Sequence, residues 1–326
     1  MSDNRAIVIH ENGGPEVMHC QSVDLVDPSG TQVLIRQSAI GVNFIDCYHR
    51  SGLYPVPLPL TPGMEGIGVI EAVGPDVTAF SPGQRVCYGN GPLGGYASAR
   101  LIPEANLVAV PDGLTDEQLS GSILRGLTAW YLIARLRSIS AGETVLFHAA
   151  AGGVGMIFCQ WARALGIKVI GTVGSAAKAS LAKANGCEHV LVSPGDELTR
   201  AVRDLTAGKG VSVVYDGVGK DTFAASLDCL APFGLMASFG NASGPPPAID
   251  AGSLGPKGSL FLTRPTLMHY TAARVDLIAG MEAYFAVVRQ GLVRNAIGQR
   301  YKLADASLSH QDLEGRKTTG ATMLVP

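Results

Sequence analysis

His148-Ala149-Ala150-Ala151-Gly152-Gly153-Val154-Gly155 decides the fold of this chain. It follows an apolar run, Thr144-Val145-Leu146-Phe147, and opens a helix-like segment, Met156 to Leu165. A glycine-rich turn between a strand and a helix is the setting of a dinucleotide site. The helix start offers backbone N–H groups and the positive end of its dipole to a pyrophosphate. The turn reads A-x-x-G-x-x-G, and Ala150 stands where G-x-G-x-x-G has its first glycine. Such a turn alone also occurs in other α/β proteins, so its surroundings carry the rest of the argument.

No acidic residue lies between Glu143 and Glu188. An NAD-preferring site places an Asp or Glu about 20 residues past the turn, to hold the ribose 2′-hydroxyl. Here that position falls in Gly171-Thr172-Val173-Gly174-Ser175, with Lys178 shortly after. A carboxylate would repel a 2′-phosphate, whereas a lysine and hydroxyls bind it. The predicted cofactor is therefore NADPH. The bland alternative for Lys178 is a solvated helix residue.

Strand and helix patterns alternate after residue 143. Strands are expected at 144–147, 168–172, 189–192, 211–215 and 234–239, with helices at 176–185, 198–206 and 221–230 between them. This rhythm implies βαβ units and a parallel sheet. Such sheets bind ligands outside the carboxyl ends of their strands. His148, Gly174, Asp216 and Phe239-Gly240-Asn241 fall on that edge. Asn241 to Pro247 reads as a loop, 259–264 as one more strand and 273–289 as a helix. Residues from about 5 to 110 instead read as short strands cut by Gly/Pro turns. Thr115-Asp116-Glu117-Gln118 predicts a helix start.

The bulk numbers narrow the class. A chain of 326 residues has room for two domains, and 47% hydrophobic residues with 41 glycines suits a compact α/β enzyme. A net charge of −2 gives no basic balance for nucleic acid or anionic membrane. No apolar stretch approaches the roughly 18 residues needed to span a bilayer. Met1-Ser2-Asp3-Asn4-Arg5 carries no apolar signal core, so the expected location is the cytoplasm. None of the six cysteines forms a C-x-x-C pair, and they read as reduced, mostly buried thiols.

Taken together, these features resemble the zinc-free quinone oxidoreductases of the medium-chain dehydrogenase/reductase superfamily, the relatives of zeta-crystallin. The stretches that carry the resemblance are Ala39-Ile40-Gly41-Val42-Asn43-Phe44-Ile45-Asp46, Arg50 to Pro55, Phe147 to Gly155, Val214 to Gly219, Ser238 to Asn241 and Thr263-Arg264-Pro265. The resemblance implies an α/β fold: a GroES-like β-rich catalytic domain, residues 1–125 with 265–326, and a doubly wound parallel-sheet Rossmann domain, residues 126–264. It implies a cofactor lying in the cleft between them and a homodimer, often paired through the last Rossmann strands, here around Leu260-Phe261-Leu262.

Zinc enzymes of the superfamily have a Cys where this chain has Asn43, and a His where it has Met64 in Pro62-Gly63-Met64-Glu65-Gly66. An amide and a thioether are poor zinc ligands, and Glu65 alone does not hold zinc. No metal is expected. Without a Lewis acid the acceptor should be intrinsically electrophilic, a quinone or an activated enone.

By resemblance, Asn43, Tyr48 and Tyr54 line the reacting centre; Asn43 and Tyr54 also touch the cofactor. Asn43 could instead stabilise a turn, and Tyr48 could be a core aromatic. Thr128 would approach the nicotinamide amide or simply cap a turn. Ala151, Gly152, Gly153 and Val154 should hold the pyrophosphate, and Gly174, Ser175 and Lys178 the 2′-phosphate. Ser193 stands where some relatives carry a tyrosine, so stacking at the adenosine end would be lost. Phe239, Gly240, Asn241 and Ser243 should line the nicotinamide ribose side, and Val218, Leu262, Arg264 and Ser193 are further expected cofactor contacts. Arg316 matches an arginine aimed at the cofactor phosphates; otherwise it is a surface residue. Two alternatives stay open. One is a reductase of α,β-unsaturated ketones or aldehydes. The other, of a different class, is a crystallin-like or AU-rich RNA-binding protein, although no basic-aromatic cluster suits single strands. A zinc alcohol dehydrogenase is a remaining possibility.

Overall fold

The computed structural model describes residues 4–326; the sequence reading at Met1 to Asp3 lies outside them. The chain forms two compact units. One runs to Leu127 and includes Thr271–Pro326; the other is Thr128–Tyr270. The sequence placed these divisions at 125/126 and 264/265. The later second division has a physical reason: Tyr270 stacks on Tyr131 of the same unit, with ring centroids 4.6 Å apart and planes 6° from parallel.

In the first unit the long strand Gln32–Val42 organises a seven-stranded sheet. It pairs antiparallel with Ala321–Val325, Gly66–Val73 and Ala99–Pro103. Val33 and Ile35 belong to one buried core, Ile40 and Val42 to a second. The changeover lies at a register shift between Gln37 and Ala39. An extra residue in one strand re-aims the side chains that follow it. This strand leads directly into the helix Phe44–Ser51, so Asn43 sits at the junction.

The second unit holds a six-stranded sheet. Its spatial order is His189–Val192, Lys168–Val173, Thr144–Phe147, Val211–Asp216, Leu230–Ser238, Phe261–Thr263. Every neighbouring pair is parallel. Counted along the chain this is the order 3-2-1-4-5-6 of the Rossmann fold, whose strand order reverses beside the first strand. The ends of Thr144–Phe147 and Val211–Asp216 therefore meet at the switch point. The strand expected at 234–239 is longer, Leu230–Ser238, because Leu230 already pairs with Val211 across a register shift. The first helix begins at Gly153, inside the glycine turn, and not at Met156. Among the described residues no helix is long and apolar enough to cross a membrane.

Candidate functional site

The glycine turn is built by backbone contacts. His148 N–H donates to Tyr215 O at 3.0 Å, which ends the pairing of the first and fourth strands. Ala149 then adopts φ 55°, a left-handed conformation that costs an alanine about 1–2 kcal/mol. Ala150 N–H donates to Thr172 O at 3.0 Å and Gly152 N–H to Ala149 O at 2.8 Å, which hold this strain in place. A Cβ on Gly155 would lie 2.6 Å from Ala149 O and 2.7 Å from Ala150 O, so only glycine allows the helix to approach its own turn. Gly152 caps the helix Gly153–Ala164 and no side chain fills the cap. A helix start without a side-chain cap leaves first-turn N–H groups that an anion can satisfy. Ala151 is buried, Gly152 exposed, and Gly153 and Val154 half-buried.

At the end of the second strand, Gly174 and Ser175 are exposed, and a Cβ on Gly174 would meet nothing within 4 Å. Ser175 precedes the helix Ala176–Ala184 without a side-chain cap bond, and Lys178 N–H donates to Ser175 O at 3.1 Å. Ser193 has φ 42°, and its hydroxyl donates to Gly174 O at 3.0 Å. It braces the loop that carries Gly174.

On the other side of the switch point, Asp216 is buried and accepts from Val218 N–H at 2.8 Å and Gly219 N–H at 3.0 Å. Phe239 packs on Phe147, with centroids 5.8 Å apart. Arg264 donates to Ser238 O at 2.9 Å and Gly240 O at 3.0 Å, fixing the loop that leads to Asn241. The Ser243 hydroxyl donates to Val218 O at 2.9 Å and accepts from Asp221 N–H at 3.0 Å. Asn241 and Thr128 are buried, and Leu262 is half-buried on the last strand.

The first unit carries the other predicted residues. The side-chain amide of Asn43 donates to Glu65 Oε2 at 2.8 Å, and its backbone N–H donates to Asp46 Oδ2 at 2.8 Å. Asp46 thus holds the Asn43 backbone at the helix start, and the Asn43 side chain bonds a buried carboxyl group. Glu65 also accepts from Ile123 N–H at 2.9 Å. Burial raises the Glu65 pKa, opposed by the charge of Arg125 and the bonds from Asn43 and Ile123. Tyr48 and Tyr54 are brought together edge to face, with centroids 5.1 Å apart. Tyr48 is buried and also packs on Phe44, whereas Tyr54 is half-buried. Arg316 is exposed, with φ 59°, after the helix Ala306–Glu314.

Sequence reasoning missed a buried polar chain behind the Phe44–Ser51 helix. Arg50 Nη1 lies 3.1 Å from His310 Nδ1, His310 Nε2 lies 3.0 Å from the Tyr96 hydroxyl, and that hydroxyl donates to Asp46 Oδ2 at 2.9 Å. Arginine only donates, so Nδ1 accepts and Nε2 carries the proton. Burial, then Arg50, hold His310 down at about 3. Burial pushes Asp46 up to about 7. Residues this far apart in sequence leave no local pattern to find.

Among the described residues no three His, Cys, Asp or Glu side chains are grouped to share a metal ion, and all six cysteines are free.

The second unit is thus a Rossmann dinucleotide-binding module, and the first is an antiparallel β-rich domain. Comparison with known families agrees. Residues 29–112 match the alcohol dehydrogenase GroES-like domain and residues 153–277 the zinc-binding dehydrogenase family. A quinone oxidoreductase of Pseudomonas aeruginosa is 48% identical over 96% of this chain and 97% of its own length. A 2-haloacrylate reductase of a Burkholderia species is 43% identical over 98% of each. The crystal structure of Escherichia coli quinone oxidoreductase complexed with NADPH is 42% identical, covers 99% of this chain and 100% of its own, and superposes with a TM-score of 0.97. The chain belongs to the quinone oxidoreductase family of the medium-chain dehydrogenase/reductases.

Proposed function

We propose that this chain is an NADPH-dependent quinone reductase that works without a metal. The observation that carries the cofactor is the end of the second Rossmann strand. Gly174 and Ser175 are exposed there, Lys178 follows on the next helix, and no carboxylate stands between Glu143 and Glu188 to repel a 2′-phosphate. The likeness to a quinone oxidoreductase solved with NADPH supports the same reading.

The residues fit NADPH. The turn from Ala151 to Val154, with its uncapped helix N-terminus and the close approach at Gly155, would hold the pyrophosphate. Gly174, Ser175 and Lys178 would hold the 2′-phosphate, with Ser193 bracing their loop. Phe239, Gly240 and Asn241, fixed by Arg264, would border the nicotinamide ribose, with Val218, Ser243 and Leu262 behind them. Thr128 would meet the nicotinamide amide and Arg316 a phosphate. When bound, NADPH supplies the hydride. The hydroxyls of Tyr48 and Tyr54 would then donate to the oxyanion that develops on the acceptor, and their rings would keep water from it. Asn43, oriented by Glu65, would hydrogen-bond cofactor or acceptor.

Zinc does not fit these residues. The Asn43 amide already donates to Glu65, and Met64 offers only a buried thioether. A second reading, reduction of an activated enone, is favoured by the likeness to a 2-haloacrylate reductase. The chain would work as a homodimer in the cytoplasm. The strand Phe261–Thr263 ends the sheet, and Phe261 on it is 61% exposed, an edge suited to pairing with a second copy.

The deciding experiment follows NADPH and NADH oxidation with p-benzoquinone, phenanthrenequinone and an enone, each with and without a chelator. Chelator-resistant, NADPH-preferring quinone turnover is expected. Turnover confined to enones moves the chain to the second reading, and activity lost to chelator refutes the metal-free assignment.

A further inference from the structure

His148 lies one residue beyond the strand Thr144–Phe147 and is 1% exposed. Both its ring nitrogens are engaged. Nδ1 is 2.9 Å from Thr172 Oγ1 and Nε2 is 2.9 Å from Ser226 Oγ. The Ser226 hydroxyl donates to Asp216 Oδ2 at 3.1 Å, and the Thr222 hydroxyl donates to the same oxygen at 2.7 Å. With the Ser226 proton spent on Asp216, Ser226 Oγ must accept from Nε2–H. Nδ1 is then bare and accepts from the Thr172 hydroxyl. The network thus selects one neutral tautomer. Burial agrees, holding the imidazole below its ordinary range against the pull of Asp216.

This chain of bonds reaches several of the strand ends that the cofactor reading uses. His148 starts the glycine turn. Thr172 holds the turn a second time, because its carbonyl accepts from Ala150 N–H. Thr172 also sits two residues before Gly174, where the 2′-phosphate loop begins. Asp216 accepts from Val218 and Gly219, and its carbonyl accepts from Phe239 N–H at 2.8 Å. His148 follows, and Asp216 ends, the two strands that meet at the switch point, where ligands bind.

We propose that His148, through Thr172, is a positioning residue that couples the pyrophosphate turn to the 2′-phosphate loop, and so sets the preference for NADPH over NADH. The proposal rests on the NADPH-reductase reading above. His148 is too buried to touch the cofactor. It acts by holding two backbone segments in register.

The test measures Kd for NADPH and NADH by fluorescence titration, kcat at saturating NADPH and the thermal midpoint, in wild type, Thr172→Val, His148→Asn and His148→Ala. Thr172→Val is nearly isosteric and keeps the fold measurable if His148→Ala does not fold. In Thr172→Val we expect Kd for NADPH to rise about tenfold and Kd for NADH much less, with kcat changed by less than about twofold. His148→Asn keeps an acceptor near the Nδ1 position and should retain more of the preference than His148→Ala. Unchanged Kd values in Thr172→Val overturn the proposal. So does an equal rise for both cofactors accompanied by a fall in thermal midpoint, which is the mark of a merely structural role. Wild-type protein that binds no NADPH overturns the functional reading itself, and that result is read before any variant is made.

Discussion

The side-chain amide of Asn43 donates to Glu65 Oε2 across 2.8 Å, and both side chains are buried. Glu65 Oε1 accepts from Ile123 N–H, and Arg125 beside it donates to Val42 O at 2.8 Å. One buried carboxylate therefore ties the end of the Gln32–Val42 strand to the start of the Ile123–Trp130 helix. Gly41 is part of the same fit, because a Cβ there would overlap the Glu65 carboxylate.

Removing the carboxylate leaves the buried Asn43 amide and Ile123 N–H without their acceptor. Glu65→Ala should cost about 1–3 kcal/mol of stability for each buried donor left unsatisfied, the Asn43 amide and the Ile123 N–H. Urea unfolding checks this. A loss below about 1 kcal/mol would show that Glu65 does not carry the junction.

The paired tyrosines predict a kinetic effect. Tyr48→Phe and Tyr54→Phe keep the edge-to-face packing at 5.1 Å and remove only the hydroxyls. If either hydroxyl donates to the developing oxyanion, its loss should lower kcat by about 100- to 1000-fold. Both variants turning over at the wild-type rate would remove the tyrosines from the chemistry.

Lys178→Ala tests the phosphate reading. A charge-assisted bond to the 2′-phosphate contributes about 1.5–3 kcal/mol, so KM for NADPH should rise roughly 10- to 100-fold while KM for NADH stays nearly constant. Equal changes for both cofactors would place Lys178 among ordinary helix residues.

Asp46 predicts a pH dependence. Its carboxyl is raised from 3.8 to about 7, first by burial and then by Glu65, against bonds from Asn43 and Tyr96 and the charge of Arg125. Its Oδ1 has no hydrogen-bond partner, which leaves a place for the proton. The folded state thus holds a proton that the unfolded chain releases. This contribution is fully present below about pH 4 and is lost as pH rises to about 7. It amounts to about 4 kcal/mol at most. Asp46→Asn should flatten the fall in unfolding free energy across that window. An unchanged slope would mean that Asp46 is ionised throughout.

Phe261→Lys tests the edge strand. A lysine on an exposed edge discourages strand pairing. If two copies pair there, the variant should run as a monomer by light scattering while wild type runs as a dimer. Identical masses would move the interface elsewhere.

Periodicity and punctuation in the sequence determined the Rossmann unit. Alternating apolar runs, the turn at 148–155 and the missing acid after it are local signals, because a strand, a tight turn and a helix N-terminus are specified by neighbouring residues. The sequence also placed Tyr48 near Tyr54, six residues apart across a turn. It read Glu65 only as a lone carboxylate that does not hold zinc, because its neighbours Asn43, Ile123 and Arg125 are distant in the chain. Only tertiary structure decided that partnership, along with the chain Arg50–His310–Tyr96–Asp46 and the bonds of His148 to Thr172 and Ser226. A buried polar group must find a partner somewhere, but the sequence does not say where. Which atoms meet is fixed by strand order and register, and these arise from packing the whole chain.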